Sequence, residues 1–479
     1  MSRHGVQALL SSLNERQREA VTQPVPSASL VLAGPGTGKT RVIVARIVFL
    51  LSQSECRTMD QAAKQIVALT FTNKAAKEMK NRVRSAVGDA ASFLKVATFH
   101  AFCAELLRRF GPSVGVPRNF HIIDSDDTLS LMKEVCQSLP LELRREEKPL
   151  RREALDLVDK IAKLKRKRLD PEDYETKNRQ KIDNNPRGPH RLLYEAYTRY
   201  QERLKKSRAL DFSDLLWRVY QLLHEKRVKI DGVRHLLIDE FQDTNDTQFL
   251  IASKLAQGHA KPSIFAVGDA DQSIYSWRGA AARSNFDAFR RTFSKSSFKQ
   301  VILNVNYRST PSILRCSDQV ILASVGNRVH KHMQSHAPAE CAPVEVVKLD
   351  DAESEARHIA EFLSSRRGKT RAVLYRTNAM SRRMEEALRN HRLAYRLVGA
   401  TSFFAREEVK DVVAYLRVVA DPQDDLSFSR IVNKPSRGVG PSTLKAISSV
   451  AESARVSLFR AARLLSTSVP GWYRGQVPF

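Results

Sequence analysis

The sequence predicts an α/β protein in which parallel-sheet domains are interrupted by helical insertions, and three observations predict it. A glycine-rich turn, Gly34 to Gly38, joins an apolar run to a segment that opens Lys39-Thr40. Apolar stretches of strand length alternate with helical patterns over 28–103 and again over 230–295, the rhythm of parallel strands connected by helices. One stretch, His235 to Ile238, ends in adjacent carboxylates, Asp239 and Glu240.

The run Val31 to Val42 carries the first element. Its strand leads into Ala33, Gly34, Pro35, Gly36, Thr37 and Gly38, where glycines permit backbone angles and close approaches that a Cβ would block. The N–H groups of such a turn cradle phosphates, the Lys39 ammonium reaches the β- and γ-phosphates, and the Thr40 hydroxyl binds Mg²⁺. Ala33 stands where the strict form of this phosphate-binding loop begins with glycine. Upstream, Leu13 to Val21 places Gln17 ahead of the strand, where its amide can pair with the N6 and N7 edge of adenine.

Ile66 to Thr72, Phe93 to Phe99, Val233 to Glu240 and Ser263 to Asp269 read as buried strands, each with a helical pattern behind it. Between them, 104–204 is charged and helical in pattern, an insertion that divides the first α/β domain into 1–103 and 205–297. A second α/β series is expected over 298–395, with strands at FKQVILN, Val344 to Leu349 and Thr370 to Arg376. From 396 to 479 the pattern is again helical, and Val409, Val412, Val413 and Leu416 fall on one helix face.

Charge bounds the partner. Lys and Arg number 79 against 52 Asp and Glu, a net charge of +27 over 479 residues, which suits a polyanion better than a plain solvated surface. Lys160 to Arg168 packs six basic residues into nine. That run fits phosphate contact, a nuclear-import signal or a solvated face, and the sequence leaves the three open. The apolar run Val42 to Leu51 is broken by Arg46 and is too short for a membrane span. The N-terminus shows no secretory core, so an intracellular protein without a membrane partner is expected. Five scattered cysteines, none in a C-x-x-C pair, argue against a disulfide scaffold or a zinc site.

The remaining motifs carry the chemistry. Beside a phosphate loop, Asp239 completes an Mg²⁺ shell and Glu240 polarises the attacking water as general base. Val267 to Ala280 runs from a strand end through Gln272 to Tyr275, Trp277 and Arg278, the mixture of aromatic and cationic side chains that stacks on single-stranded bases. Leu303 to Thr310 sets Arg308 at the start of the second series, where it can act as an arginine finger.

In their order and spacing these segments resemble the UvrD/Rep/PcrA-type superfamily 1 DNA helicases, from Gln17 to about residue 440. The resemblance implies RecA-like domains, ATP and Mg²⁺ as nucleotide and cofactor, and 3′-to-5′ movement on single-stranded DNA and duplex junctions in DNA repair or recombination. It implies that Gln17 reads adenine while Arg41 and Tyr307 sandwich its ring. Gln272 then senses the γ-phosphate, and Arg308 stabilises charge on it. Phe71 and Asn73 in TFTNKAAKEM, Thr98 and His100 in ATFHAF, and Tyr275, Trp277 and Arg278 become DNA contacts. A core reading competes for Phe71 and Phe99, and a satisfied buried histidine for His100. Leu210 to Leu216 resembles the return of the first insertion, while Phe403 to Asp411 and Asn433 to Gly440 resemble parts of the second. Such a protein works in the cytoplasm of a bacterium or the nucleus of a eukaryote. The family's C-terminal motifs are not found before Phe479, so an incomplete second RecA-like domain and a weak motor are expected. The alternative is an ATP- and DNA-binding regulatory module that does not unwind.

Overall fold

Short apolar runs bounded by turn residues become the strands of one sheet. A computed structural model describes residues 3–143, 149–225, 230, 232–258, 263–275, 280, 282–295, 297–323, 331–337, 342–366, 368, 370–398 and 407–468. In its first unit, Met1–Pro343, lie β1 (Ala28–Ala33), β2 (Ile66–Thr70), β3 (Lys95–Thr98), β4 (His235–Ile238), β5 (Ile264–Gly268) and β6 (Phe298–Leu303). They form a six-stranded sheet of order β3-β2-β4-β5-β1-β6, parallel at every pair. Helices cover both faces. Leu30, Leu69 and Ile238 belong to one core and Val31, Ala68 and Leu237 to the other, so successive residues of a strand face opposite sides. Because β1, β4 and β5 run the same way, their carboxyl ends bring the glycine turn, Asp239 and Gln272 to one edge, where open α/β sheets bind ligands.

β6 corrects an expectation. FKQVILN was to open a second α/β series, but Ala28 pairs with Phe298 and Ala33 with Leu303. The strand was legible in the sequence and its sheet was not. Val301 and Leu303 are buried in one core, Phe298 and Ile302 pack against the other, and Lys299 and Gln300 are exposed, as befits a strand at the edge of the sheet.

The insertion is helical, through Phe99–Phe110, Ser125–Ser138, Leu150–Arg166, Pro171–Asn184 and Pro189–Lys206. It returns where Ala209–Leu210 pairs in parallel with His121–Ile122. The basic run does not form a uniform solvated stripe. Lys160 and Lys163 pair with Asp156 and Asp159 one turn earlier, and Arg168 lies over the Tyr220 ring. Lys165 is buried, its ammonium 2.6 Å from Asp211 and 2.8 Å from Asp214; Tyr200 Oη also donates to Asp211, at 3.0 Å. Burial pushes the Asp214 carboxyl up and the Asp211 charge adds to it; burial acts most strongly on Asp211 too, but the Lys165 ammonium together with the hydrogen bonds from Asp214 N–H and Tyr200 outweighs it and holds Asp211 below its ordinary range. Removing one partner of a buried pair strands the other charge, so Lys165→Ala is expected to cost about 3–5 kcal/mol. A urea midpoint equal to wild type would contradict this.

The second unit, Val344–Phe479, contains helices Ala352–Ser365, Ser381–Asn390, Glu407–Ala420, Asp425–Ile431, Pro441–Ala454 and Leu458–Ser468. The strands expected at Val344 to Leu349 and Thr370 to Arg376 join no ladder among the described residues, and Val346 and Leu374 are 92% and 91% exposed. The face expected for Glu407–Ala420 is also corrected. Val412 and Leu416 are 59% and 64% exposed, whereas Ala414 and Val418 pack with Phe428 and Ile431. A helix apolar on most sides has no single face for periodicity to select, and packing against Asp425–Ile431 makes the choice. Phe403 to Arg406, expected at the start of the second insertion, lie outside the described residues. No helix among the described residues is long and apolar enough to cross a membrane.

Candidate nucleotide site and nucleic-acid groove

The glycine turn is folded as phosphate chemistry needs. Gly36 and Gly38 have φ of 68° and 83°, a left-handed backbone that side chains disfavour. Gly38 caps the helix Lys39–Ser52 without any side-chain hydrogen bond, so the first N–H groups of that helix face outward for an anion. The turn is also tightly covered. A Cβ on Gly36 would stand 2.7 Å from Asn306 Nδ2 and 2.8 Å from Arg308 Cβ, and one on Gly34 would collide with Met333 Sδ.

Lys39 Nζ donates to Gln272 Oε1 at 3.1 Å and lies 3.7 Å from Glu240 Oε2. Three of the predicted residues thus converge from β1, β4 and β5. Glu240 takes φ 49°, ψ 50°, a left-handed conformation that costs a non-glycine residue energy and clusters at functional sites. It turns the chain out of β4, and Gln242 Nε2 holds its carboxylate at 2.7 Å. Asp239 is buried beside it, and burial, with the Glu240 charge added, pushes its carboxyl up to about 7. A buried carboxyl next to a second one, both oxygen donors, is the setting that a divalent cation relieves. With Thr40 in the first turn of the helix Lys39–Ser52, these residue types fit Mg²⁺.

The adenine candidates gather around Ser12 to Asn14. Arg41 donates to the carbonyl and hydroxyl of Ser12, both at 2.9 Å. Asn14 Nδ2 donates to Tyr307 Oη at 2.7 Å, and Tyr307 N–H donates to Gly36 O at 2.9 Å. Gln17 is buried, its amide nitrogen on Thr37 O at 2.9 Å and its amide oxygen on Asn14 N–H at 3.2 Å. Pairing with adenine therefore needs that amide to exchange partners. Arg46, noted in the sequence only as an interruption of an apolar run, anchors this corner by donating to Val21 O at 2.7 Å and Gln23 O at 2.5 Å. Burial lowers its guanidinium to about 10.

On the other side of β4 lies a cavity of about 330 Å³ lined by Phe71, His100, Phe212, Asp243 and Asn245, among others. The Phe71 and Tyr275 rings stack at 4.7 Å, and His100 meets Phe212 edge-on at 5.5 Å. Burial lowers the His100 pKa. Thr98 Oγ1 caps its helix by accepting from Ala101 N–H at 3.2 Å, and Asn73 is exposed at the start of Asn73–Val87. Phe99 lies in the core. Trp277 and Arg278 lie outside the described residues. Sequence reasoning missed Phe212, Asp243, Asn306 and Lys331. Asp243 stood in plain view two residues after Phe241 in DEFQD, and burial and the Glu240 charge push it up to about 6.

The UvrD/REP helicase N-terminal domain matches residues 13–294, and the UvrD-like helicase C-terminal domain matches residues 301–463. The second match overturns the expectation that the family's C-terminal motifs are absent, and the weak motor inferred from that absence loses its ground. The chain is 36% identical over 463 residues to the ATP-dependent DNA helicase PcrA of Bacillus subtilis, covering 95% of this chain and 59% of that protein. Against the PcrA of Staphylococcus epidermidis the identity is 35%, over 95% of this chain and 60% of the relative. Against that of Staphylococcus aureus it is 34%, with the same coverage. The chain spans about three fifths of the length of these curated relatives.

Proposed function

The chain belongs to the UvrD/REP helicase family, and from that premise we propose that it hydrolyses ATP to move 3′ to 5′ along single-stranded DNA and separate duplex ahead of it. The observation that carries the reading is the convergence of Lys39, Glu240 and Gln272 within hydrogen-bond or ion-pair reach at the glycine turn. Lys39 binds the β- and γ-phosphates, and Glu240 takes the proton of the attacking water. Gln272 meets the γ-phosphate, and Arg308 supplies positive charge as the terminal phosphoryl group leaves. Thr40 and Asp239 would hold Mg²⁺, which would neutralise phosphate charge when bound. Gln17, Arg41 and Tyr307 hold the adenine.

On the DNA side, Phe71 and Tyr275 offer a stacking face, with Asn73, Thr98, His100, Trp277 and Arg278 as further contacts. Gln272 and Tyr275 are three residues apart, so the γ-phosphate and the bases act on one segment. The relatives named above are bacterial, and the buried ion pair of Lys165 makes Lys160 to Arg168 a poor nuclear-import signal. Work in the bacterial cytoplasm, in repair or recombination, fits best.

ATP hydrolysis measured with and without an oligonucleotide, and unwinding of 3′- and 5′-tailed duplexes, test this reading. Stimulation by single strands and unwinding from the 3′ tail alone are expected; hydrolysis indifferent to DNA would overturn it. A DNA-binding chain that hydrolyses ATP but never unwinds would favour the regulatory alternative. Phe71→Ala is expected to cost about 1–3 kcal/mol of single-strand affinity, the worth of one base stack, and Trp277→Ala a similar amount. Both variants should keep the steep salt dependence set by phosphate contacts. Anisotropy titrations showing wild-type affinity for Phe71→Ala would assign its ring to protein packing alone.

A further inference from the structure

The orientation of Gln272 is set from behind. Its amide oxygen accepts from Lys39 at 3.1 Å, and its amide nitrogen donates to Asp269 Oδ2 at 2.7 Å. An ammonium can only donate and a carboxylate can only accept, so the two partners fix which end of the amide faces Lys39. Asp269 is 1% exposed at the end of β5. Its Oδ1 accepts from Asp271 N–H at 3.1 Å and from the ammonium of Lys331. Lys331 also donates to Asp271 Oδ2 at 2.7 Å, and its side chain is 10% exposed. Pairs this withdrawn from water are costly to break, unlike surface pairs.

Lys331 arrives from the opposite side of the glycine turn. Two residues on, Met333 covers Gly34. Gln334 and Ser335 then pair in parallel with Val305 and Asn306. Asn306 is buried; its Nδ2 donates to Pro35 O at 2.6 Å, and its Oδ1 accepts from the N–H groups of Arg308 and Ser309, both at 2.7 Å. One short two-stranded piece therefore carries Tyr307, Arg308 and the lysine that reaches Asp269.

We propose that Lys331 is a positioning residue for ATP hydrolysis: by holding Asp269 it keeps the Gln272 amide oxygen on Lys39, so that the ammonium stays placed for the γ-phosphate, and it couples that amide to the element bearing Arg308. The inference rests on the nucleotide reading of the glycine turn. Without Lys331 the Asp269 charge is buried without its ammonium partner, its grip on the Gln272 amide weakens, and Lys39 is no longer held where a γ-phosphate arrives.

The test compares binding of fluorescent ADP and a fluorescent non-hydrolysable ATP analogue to the whole chain carrying Lys331→Ala, Lys331→Arg or Gln272→Ala, and to the Lys331→Ala/Gln272→Ala double variant. In Lys331→Ala the preference for the ATP analogue over ADP is expected to fall about tenfold, the size of one charge-assisted contact, with ADP affinity retained. Lys331→Arg restores part of the preference. In the Gln272→Ala background the lysine substitution should remove little more, because two groups in one network are not additive. Additive losses, or an unchanged preference in folded Lys331→Ala, would overturn the proposal. Should Lys331→Ala not fold, Asp271→Asn, which weakens the hold on Lys331 and spares Asp269, must show a smaller loss of the same kind; wild-type discrimination there overturns it equally. Failure of the nucleotide reading itself shows separately, as wild-type protein that binds neither nucleotide.

Discussion

Arg308→Ala is expected to lower DNA-stimulated ATP turnover by about 10³–10⁵-fold, the range an arginine finger supplies in phosphoryl transfer. The structure gives this residue an unusual combination. Its backbone is held, N–H on Asn306 Oδ1 at 2.7 Å, and its Cβ hangs over Gly36, yet the residue is exposed. A fixed root and an exposed head place a positive charge beside the turn without committing it in the absence of nucleotide. The loss should appear in kcat with ADP affinity retained, because the contact matters most as charge develops on the transferring group. Arg308→Lys should recover little, since a point charge does not reproduce the planar fork. Single-turnover hydrolysis in the presence of an oligonucleotide measures the effect, and turnover within a few-fold of wild type would remove Arg308 from the transition state.

Glu240→Gln is expected to retain nucleotide binding and lose about 10²–10⁴-fold in turnover, the contribution of a positioned general base. The amide keeps an oxygen for Gln242 Nε2, which holds Glu240 at 2.7 Å, so the loop should keep its shape while losing the group that accepts the proton. Lys39→Ala separates the roles, because it deletes the charge on the phosphates and should weaken binding itself. Equilibrium binding of a fluorescent ATP analogue alongside steady-state hydrolysis distinguishes the two variants. Equal loss of binding in both would contradict the division of labour.

The candidate nucleotide site was legible because its chemistry is compressed into neighbours. Ala33 to Thr40 is one contiguous stretch, and Asp239 and Glu240 end one strand; glycine, lysine and carboxylate types at those spacings have few other uses. The groove was legible in part. Phe71 and Tyr275 were named from separate motifs, and their stacking needed the fold to bring β2 and the segment after β5 together. Phe212 escaped because it reads as one more apolar residue in the return of an insertion, although it opens the helix facing His100.

By itself the sequence determined the six strands of the first sheet, the glycine turn with its neighbouring carboxylates and which family the motifs follow, since each depends on residues within a few positions of one another; it also offered strands at Val344 to Leu349 and Thr370 to Arg376 that join no ladder among the described residues. Tertiary structure alone decided that β6 completes the first sheet and that Val412 and Leu416 face outward. It also decided that Lys165 is buried between two aspartates and that Lys331 reaches Asp269, 62 positions earlier. Edge membership, helix face and charge partner are properties of pairs distant in the chain; a local pattern states what a residue can do, and packing selects the neighbour with which it does it.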